Sequence, residues 1–208
     1  MPRIRADNIA QHKALTRTQI LAVAQNLFAE WGYEDTSFGD ISASVGIGRT
    51  TLYEYFTDKD DLLASLVEET LPQTIREMVA QIPDDYTPTE RLRELTVRMV
   101  EFVAVDPTLG LLLHREVPKL SADAQARVAV AHQGLSHEFA DAYRSGVSAG
   151  ELKLLPAGLA GRFLNDLIMS AAKALIESKD PGKKLAEVTA AVTDLLFNGL
   201  SATGPRAV

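Results

Sequence analysis

From Thr36 to Lys59 the chain reads TSFGDISASVGIGRTTLYEYFTDK, and two glycines separated by a single isoleucine divide this stretch into two short apolar patterns. Ser37 followed three residues later by Asp40 forms a capping box. Phe38, Ile41 and Val45 then recur at helical spacing, so a helix of about two turns begins there. Gly46 can take the left-handed conformation that ends it, Ile47 supplies an apolar plug, and Gly48 lets a second helix start in a new direction. On that second helix Leu52 and Phe56 are four apart and face inward together, which turns Thr50 and Glu54 outward with Thr51 and Tyr53 at their flanks. Two helices, a glycine turn and a small polar outer face make a helix-turn-helix. Its second helix can enter the major groove of duplex DNA and reach base edges.

The flanking sequence supplies a scaffold for this pair. Thr16 with Gln19 makes a capping box, and Ile20, Ala24, Leu27, Phe28 and Trp31 trace one apolar stripe until Gly32. Trp31 and Phe28 are expected to pack with Phe38, Ile41, Leu52 and Phe56 in a three-helix core. Residues 1–15 lack periodicity and are expected to form a flexible arm, whose Arg3 and Arg5 suit either solvent or a minor groove. Thr57 with Asp60 opens a further helix that Pro72 is expected to end or kink. Lys59 lies in its first turn, where a cation costs about 0.3 to 1 kcal/mol against the helix dipole, so a phosphate contact is expected of it.

The run GIGRTTLYEYFTDKDDLL, with a match reaching back to about Thr16, resembles the end of the DNA-binding domain of the tetracycline-repressor (TetR) family of transcriptional regulators. The resemblance implies that Thr36, Thr51, Tyr53, Tyr55 and Lys59 touch DNA phosphates, while Arg49, Thr50 and Glu54 read bases. Two residues depart from the family's commonest pattern. Gly48 stands where a capping serine is frequent, and Glu54 sets a negative charge at the centre of the reading face.

The formal net charge of −7 has the wrong sign for a protein that coats nucleic acid non-specifically. Residues 1–20, however, hold Arg3, Arg5, Lys13 and Arg17 against Asp7 alone, and such a local basic footprint suffices for a specific binder. With no cysteine, disulfide and thiolate chemistry are excluded and a cytoplasmic location is expected. No apolar run approaches the ~20 residues of a membrane span, and the polar start is unlike a signal peptide. Gly46-Ile47-Gly48 follows a helix and lacks a third glycine, so it is no dinucleotide loop; His132 and His137 lie about 140° apart on one helix and suit no metal. Neither an enzyme nor a cofactor is expected.

Beyond Pro72 every boundary signal is helical. Thr87-Pro88 with Glu90, Asp106-Pro107 and Asp180-Pro181 repeat a cap-then-proline signature, and Ser121 and Pro156 mark two more starts. Helices are expected over about 73–82, 88–105, 107–115, 121–149, 156–178 and 181–198, giving an all-α chain. Its divisions are an arm at 1–15, a DNA-binding domain at 16–60 and a helical ligand-binding and dimerisation domain at 61–208. The last two helices are rich in small residues and carry Ala160, Leu164, Ala171, Leu185, Val188, Val192, Leu195 and Leu196. Given the resemblance, these are expected to pair with a second copy in a homodimer. The resemblance also implies an apolar cavity for a small-molecule effector. Its candidate lining is Leu66, Met78, Met99, Phe102, Val103, His114, Phe139, Tyr143, Asn165 and Met169. The expected function is that of a regulator released by ligand from palindromic duplex DNA. The alternative is a small-molecule-binding helical protein with a vestigial helix-turn-helix.

Overall fold

The computed structural model describes residues 2–105 and 115–200, and no strand occurs among them. The helices are α1 (Pro2–Trp31), α2 (Phe38–Val45), α3 (Arg49–Tyr53), α4 (Lys59–Ala80) and α5 (Pro88–Val105). After a 3₁₀ turn at Val117–Lys119 come α6 (Ala122–Ser148), α7 (Leu159–Ile176) and α8 (Pro181–Leu200). Two compact units result. One comprises the chain to Thr70 together with residues 115–130; the other comprises residues 71–105 and 131–200. The borders therefore fall inside α4 and α6, whereas the expected division at 60/61 assigned everything after it to one domain. The expected helix at 107–115 and the ligand candidate His114 lie outside the described residues.

In the first unit α1 packs on α2 and α2 on α3. Ile20, Ala24, Leu27 and Phe28 of α1, Phe38 and Ile41 of α2, and Leu52 and Phe56 are all buried, as their spacing requires. Trp31 is not part of this core. It is 49% exposed, and Tyr33 takes the interior position with its ring 5.1 Å from that of Phe28.

α1 starts at Pro2, not near Thr16. No breaker stands between Pro2 and Gly32; proline suits a first helical position, and Ala6, Ala10, Gln11, Lys13, Ala14 and Leu15 all favour helix. Thr16 is consequently no cap, and its hydroxyl donates back to the His12 carbonyl at 3.0 Å. α4 likewise passes through Pro72 without ending. An interior proline costs about 3 kcal/mol, but Leu71, Ile75 and Met78 continue the buried stripe, each side chain contributing roughly 1.5 to 3 kcal/mol.

The core of the second unit joins Ile82, Leu92, Leu95, Val100, Ala142 and Leu152 to Leu164, Ile168, Ala171 and Leu175 of α7 and Val192, Leu196 and Phe197 of α8. Thr87 and Glu90 form the expected capping box of α5, with the Thr87 backbone N–H donating to Glu90 Oε2 at 2.8 Å. Four residues assigned from sequence to a dimer interface, Leu164, Ala171, Val192 and Leu196, are thus interior to their own unit. The apolar stripes on α7 and α8 are wide enough to have an inner and an outer side, and these four occupy the inner one. Ala160, Leu185 and Val188 are half-buried and Leu195 is exposed.

Candidate nucleic-acid interface

The site is built from α2 outward. Ser37 caps α2: its hydroxyl accepts the Asp40 backbone N–H at 3.2 Å while Asp40 Oδ2 accepts the Ser37 N–H at 2.9 Å. Hydrogen bonds from the Ser37 side chain and then its backbone hold the Asp40 carboxyl below its usual range. Gly46 closes α2 at φ 80°, and its N–H bonds to the Ser42 and Ala43 carbonyls. That left-handed turn costs a side-chain-bearing residue about 1 to 2 kcal/mol, which is why glycine stands there. Ile47 N–H adds a bond to the Ser42 carbonyl at 3.0 Å, and the chain is then aimed into α3.

On the α3 segment Leu52 and Phe56 are buried, whereas Arg49, Thr50, Tyr53 and Glu54 are exposed and Thr51 and Tyr55 half-buried. The rings of Tyr53 and Phe38 lie 5.1 Å apart, so Tyr53 is braced against α2 while half of it faces out. From α1 the Lys13 ammonium stands 5.7 Å from the centre of the Tyr55 ring, and the Arg17 guanidinium stands 5.0 Å from that of Phe56. Polar groups of graded size project from a short helix whose other side is locked into a core. Such a surface can enter a major groove.

Two residues expected on that surface have other employment. Thr36 is 1% exposed, and its hydroxyl donates inward to the Gly32 carbonyl at 2.7 Å and the Leu27 carbonyl at 3.3 Å. Its side chain is closed to phosphate. Lys59 directs its ammonium at the carbonyls of Tyr33 at 2.5 Å, Thr36 at 3.1 Å and Glu34 at 3.3 Å, with the Tyr33 ring centre 4.3 Å away. An ammonium has three donors, and three carbonyls engage them. The cation thus neutralises the carbonyl-rich turn between α1 and α2, and this interaction offsets its poor fit to a helix first turn.

The structure adds residues that no spacing announced. The cap of α4 is Asp58, which accepts the Asp61 N–H at 2.8 Å, and Asp61 accepts the Thr57 N–H at 2.8 Å; the expected Thr57 and Asp60 box is displaced by one residue. Asp60 is thereby released to bind two distant groups, the Tyr33 hydroxyl and the Ser121 backbone N–H, each at 2.7 Å. Burial, then the hydrogen bond to Asp60, raises the Tyr33 hydroxyl's pKa, so it remains a donor. From α6, Arg127 grips Glu68 with two nitrogens at 2.6 and 3.0 Å and reaches Asp61 at 2.7 Å and Ser65 at 2.9 Å. The start of α4, and with it α3, is therefore held both from the turn between α1 and α2 and from α6. A hint was available only in the Asp58-Asp61 spacing; Arg127 lies 66 residues from Asp61.

This network has an acid limit. Burial pushes the Asp61 carboxyl up, but hydrogen bonds from Arg127 and the Thr57 backbone outweigh it; the Arg127 hydrogen bond likewise lowers Glu68. Both folded values lie below the unfolded ones. Their stabilisation is therefore complete above the ordinary carboxylate range and disappears as pH falls through the folded values. Arg127→Gln should cost about 1 kcal/mol at neutral pH, the pairs being partly exposed, and should flatten the loss of stability below about pH 4. Denaturant unfolding across that range checks this, and a variant with an unchanged acid slope would contradict it.

Two family models match this chain. The model of bacterial regulatory proteins of the TetR family matches residues 20–66, and a tetracycline-repressor-like C-terminal domain matches residues 85–173. The transcriptional regulator AcrR of Shigella flexneri is 32% identical over 152 residues, 71% of this chain and 70% of that protein. This chain belongs to the TetR family. As a TetR-family protein it is a DNA-binding transcriptional regulator. The fatty acid metabolism regulator protein of Bacillus subtilis is 24% identical over 88% of this chain and 94% of its own length. The crystal structure of the regulator FadR from Bacillus subtilis, in complex with stearoyl-CoA, superposes with a TM-score of 0.74 at 24% identity, covering 88% of this TetR-family chain and 98% of that one. Among the described residues of this regulator no helix is long and apolar enough to cross a membrane.

Of the residues assigned from sequence to the effector, Leu66 is buried in the first unit. In the second unit Met78 and Val103 are buried, Phe102 and Met169 half-buried, and Met99, Phe139 and Tyr143 pack against the core. Tyr143 spends its hydroxyl on the 153–155 segment, donating to the Lys153 carbonyl at 2.9 Å and accepting the Leu155 N–H at 2.8 Å. Asn165 is exposed on α7 beside Asp166.

Proposed function

We propose that this TetR-family regulator is a cytoplasmic homodimeric repressor that reads a palindromic operator with α3 and is released by an apolar small molecule. The observation that supports this best is the exposure of Arg49, Thr50, Tyr53 and Glu54 beside fully buried Leu52 and Phe56. Arg49, Thr50 and Glu54 choose bases, Glu54 by accepting a hydrogen bond from cytosine N4, while Thr51, Tyr53 and Tyr55 set the register on phosphates. Two such helices related by a two-fold axis would read half-sites about 34 to 36 Å apart.

For the dimer, α7 and α8 pack on each other and leave Phe163 50% and Leu195 62% exposed. With Ala160, Leu185 and Val188 they form an outer side suited to a second copy. The effector would lodge in the second unit among Met99, Val103, Phe139 and Met169, favouring a dimer arrangement in which the α3 helices no longer match successive grooves. Full release requires roughly 5.5 kcal/mol of preference for that state.

Selection of operator from random duplexes tests the reading. Glu54→Ala should relax one base position by about 1 to 3 kcal/mol while leaving folding stability within roughly 0.5 kcal/mol. If the intact protein recovers no sequence, the helix-turn-helix is vestigial. Sedimentation as a monomer at micromolar concentration would remove the dimer. Stearoyl-CoA, named in the Bacillus subtilis structure, is the first effector to add to the operator complex.

A further inference from the structure

We propose that the first half of α1, residues 2–19, is a second DNA-docking element: a basic helix that lies along the phosphate backbone flanking the half-site. The inference rests on the reading of α3 as the operator-reading helix, and it concerns a segment outside the family match, which begins at residue 20.

The helix starts at Pro2, yet every residue from Ile9 to Leu15 is exposed, Ile9 at 68% and Leu15 at 64%. Helices in proteins draw most of their stability from packing an apolar face, and an isolated helix of this length is marginal in water. From Ile9 to Leu15 this one has no packed face, so a partner is the missing source of stabilisation there. Its charge identifies the partner. Arg3, Arg5, Lys13 and Arg17 stand against Asp7 alone, in a chain whose net charge is −7. A polyanion fits that segment better than it fits the net-acidic chain as a whole.

Position supplies the second observation. Lys13 and Arg17 are held at Tyr55 and Phe56, immediately after α3, so the helix leaves the core beside the reading face. Arg17 also pairs with Glu69, which anchors its base. At 1.5 Å per residue the helix reaches about 16 Å beyond Lys13, or roughly five phosphates along one strand. The element adds affinity and salt dependence without adding base choice.

The test uses the full chain and an operator selected by it, presented as two duplexes, one ending at the half-site edges and one with ten flanking base pairs on each side. The intact protein should prefer the flanked duplex by about tenfold or more at low salt. The triple variant R3Q/R5Q/K13Q, in which glutamine preserves helix propensity, should bind both duplexes equally and keep the same base preference. Its slope of log K against log salt on the flanked duplex should fall by about 2.7 for each helix engaged. Ala10→Pro keeps every charge but breaks the helix, and it too should lose the flank preference. Equal flank preference and salt slope in the intact protein and the triple variant would overturn the proposal, as would an Ala10→Pro variant that behaves like the intact chain. Failure of the intact protein to select any sequence would count against the α3 reading instead, and the salt slopes on a fixed random duplex would still decide between a docking and an idle helix.

Discussion

Phe56→Ala should destabilise the first unit by about 3 to 5 kcal/mol and abolish operator binding at temperatures where the intact protein is active. The ring is 1% exposed and sits directly after α3, where the Phe56 N–H donates to the Leu52 carbonyl at 3.1 Å. Removing it deletes a large buried apolar area and leaves a cavity under the reading helix, which partial collapse will not fill. The Arg17 guanidinium, 5.0 Å from the ring centre, loses its aromatic partner at the same time. Phe56→Leu retains most of the volume and should cost less than half as much. Denaturant unfolding monitored alongside a gel shift measures both quantities. A midpoint within experimental error of the intact protein's would show that Phe56 does not support α3.

Lys59→Met separates two roles that the sequence alone could not. A phosphate-binding lysine would leave stability unchanged on substitution and lower the salt slope of DNA binding by about one unit. A lysine engaged by three carbonyls should instead cost about 1.5 to 3 kcal/mol of stability, because the Tyr33, Glu34 and Thr36 carbonyls lose a charged donor. Methionine keeps an unbranched apolar side chain of similar length but removes the ammonium that stands over the Tyr33 ring, so the loss reports the ammonium. The expected result is a lower unfolding midpoint, weaker operator binding through displacement of the turn before α2, and an unchanged salt slope. An unaltered midpoint with a reduced slope would return Lys59 to the phosphate backbone.

The two variants bracket the same design. α3 is too short to hold itself, so its orientation is delegated to a core on one side and to polar clamps at the start of α4 on the other. Lys59 clamps the turn between α1 and α2, Asp60 ties Tyr33 to Ser121, and Arg127 binds Asp61 and Glu68. Each clamp joins segments far apart in the chain.

That distance separates what could be read from residues from what could not. The Ser37 and Asp40 box, the Gly46 stop, the Leu52 and Phe56 pair and the Thr87 and Glu90 box all follow from interactions within one helical turn, where spacing dictates geometry. The sequence by itself therefore determined the all-α class, the helix-turn-helix and the side of α3 that faces outward. Only the tertiary structure decided that Thr36 turns inward, that Tyr33 displaces Trp31 from the core, and that Lys59 serves carbonyls. It also decided that α4 survives Pro72, and which side of the wide apolar stripes on α7 and α8 is interior, burying Leu164 and Val192 and exposing Leu195. The physical reason is common to these cases. Local spacing fixes which groups share a face, but the identity of the neighbour that meets a face, and so the burial or pairing of each group on it, depends on residues tens of positions away.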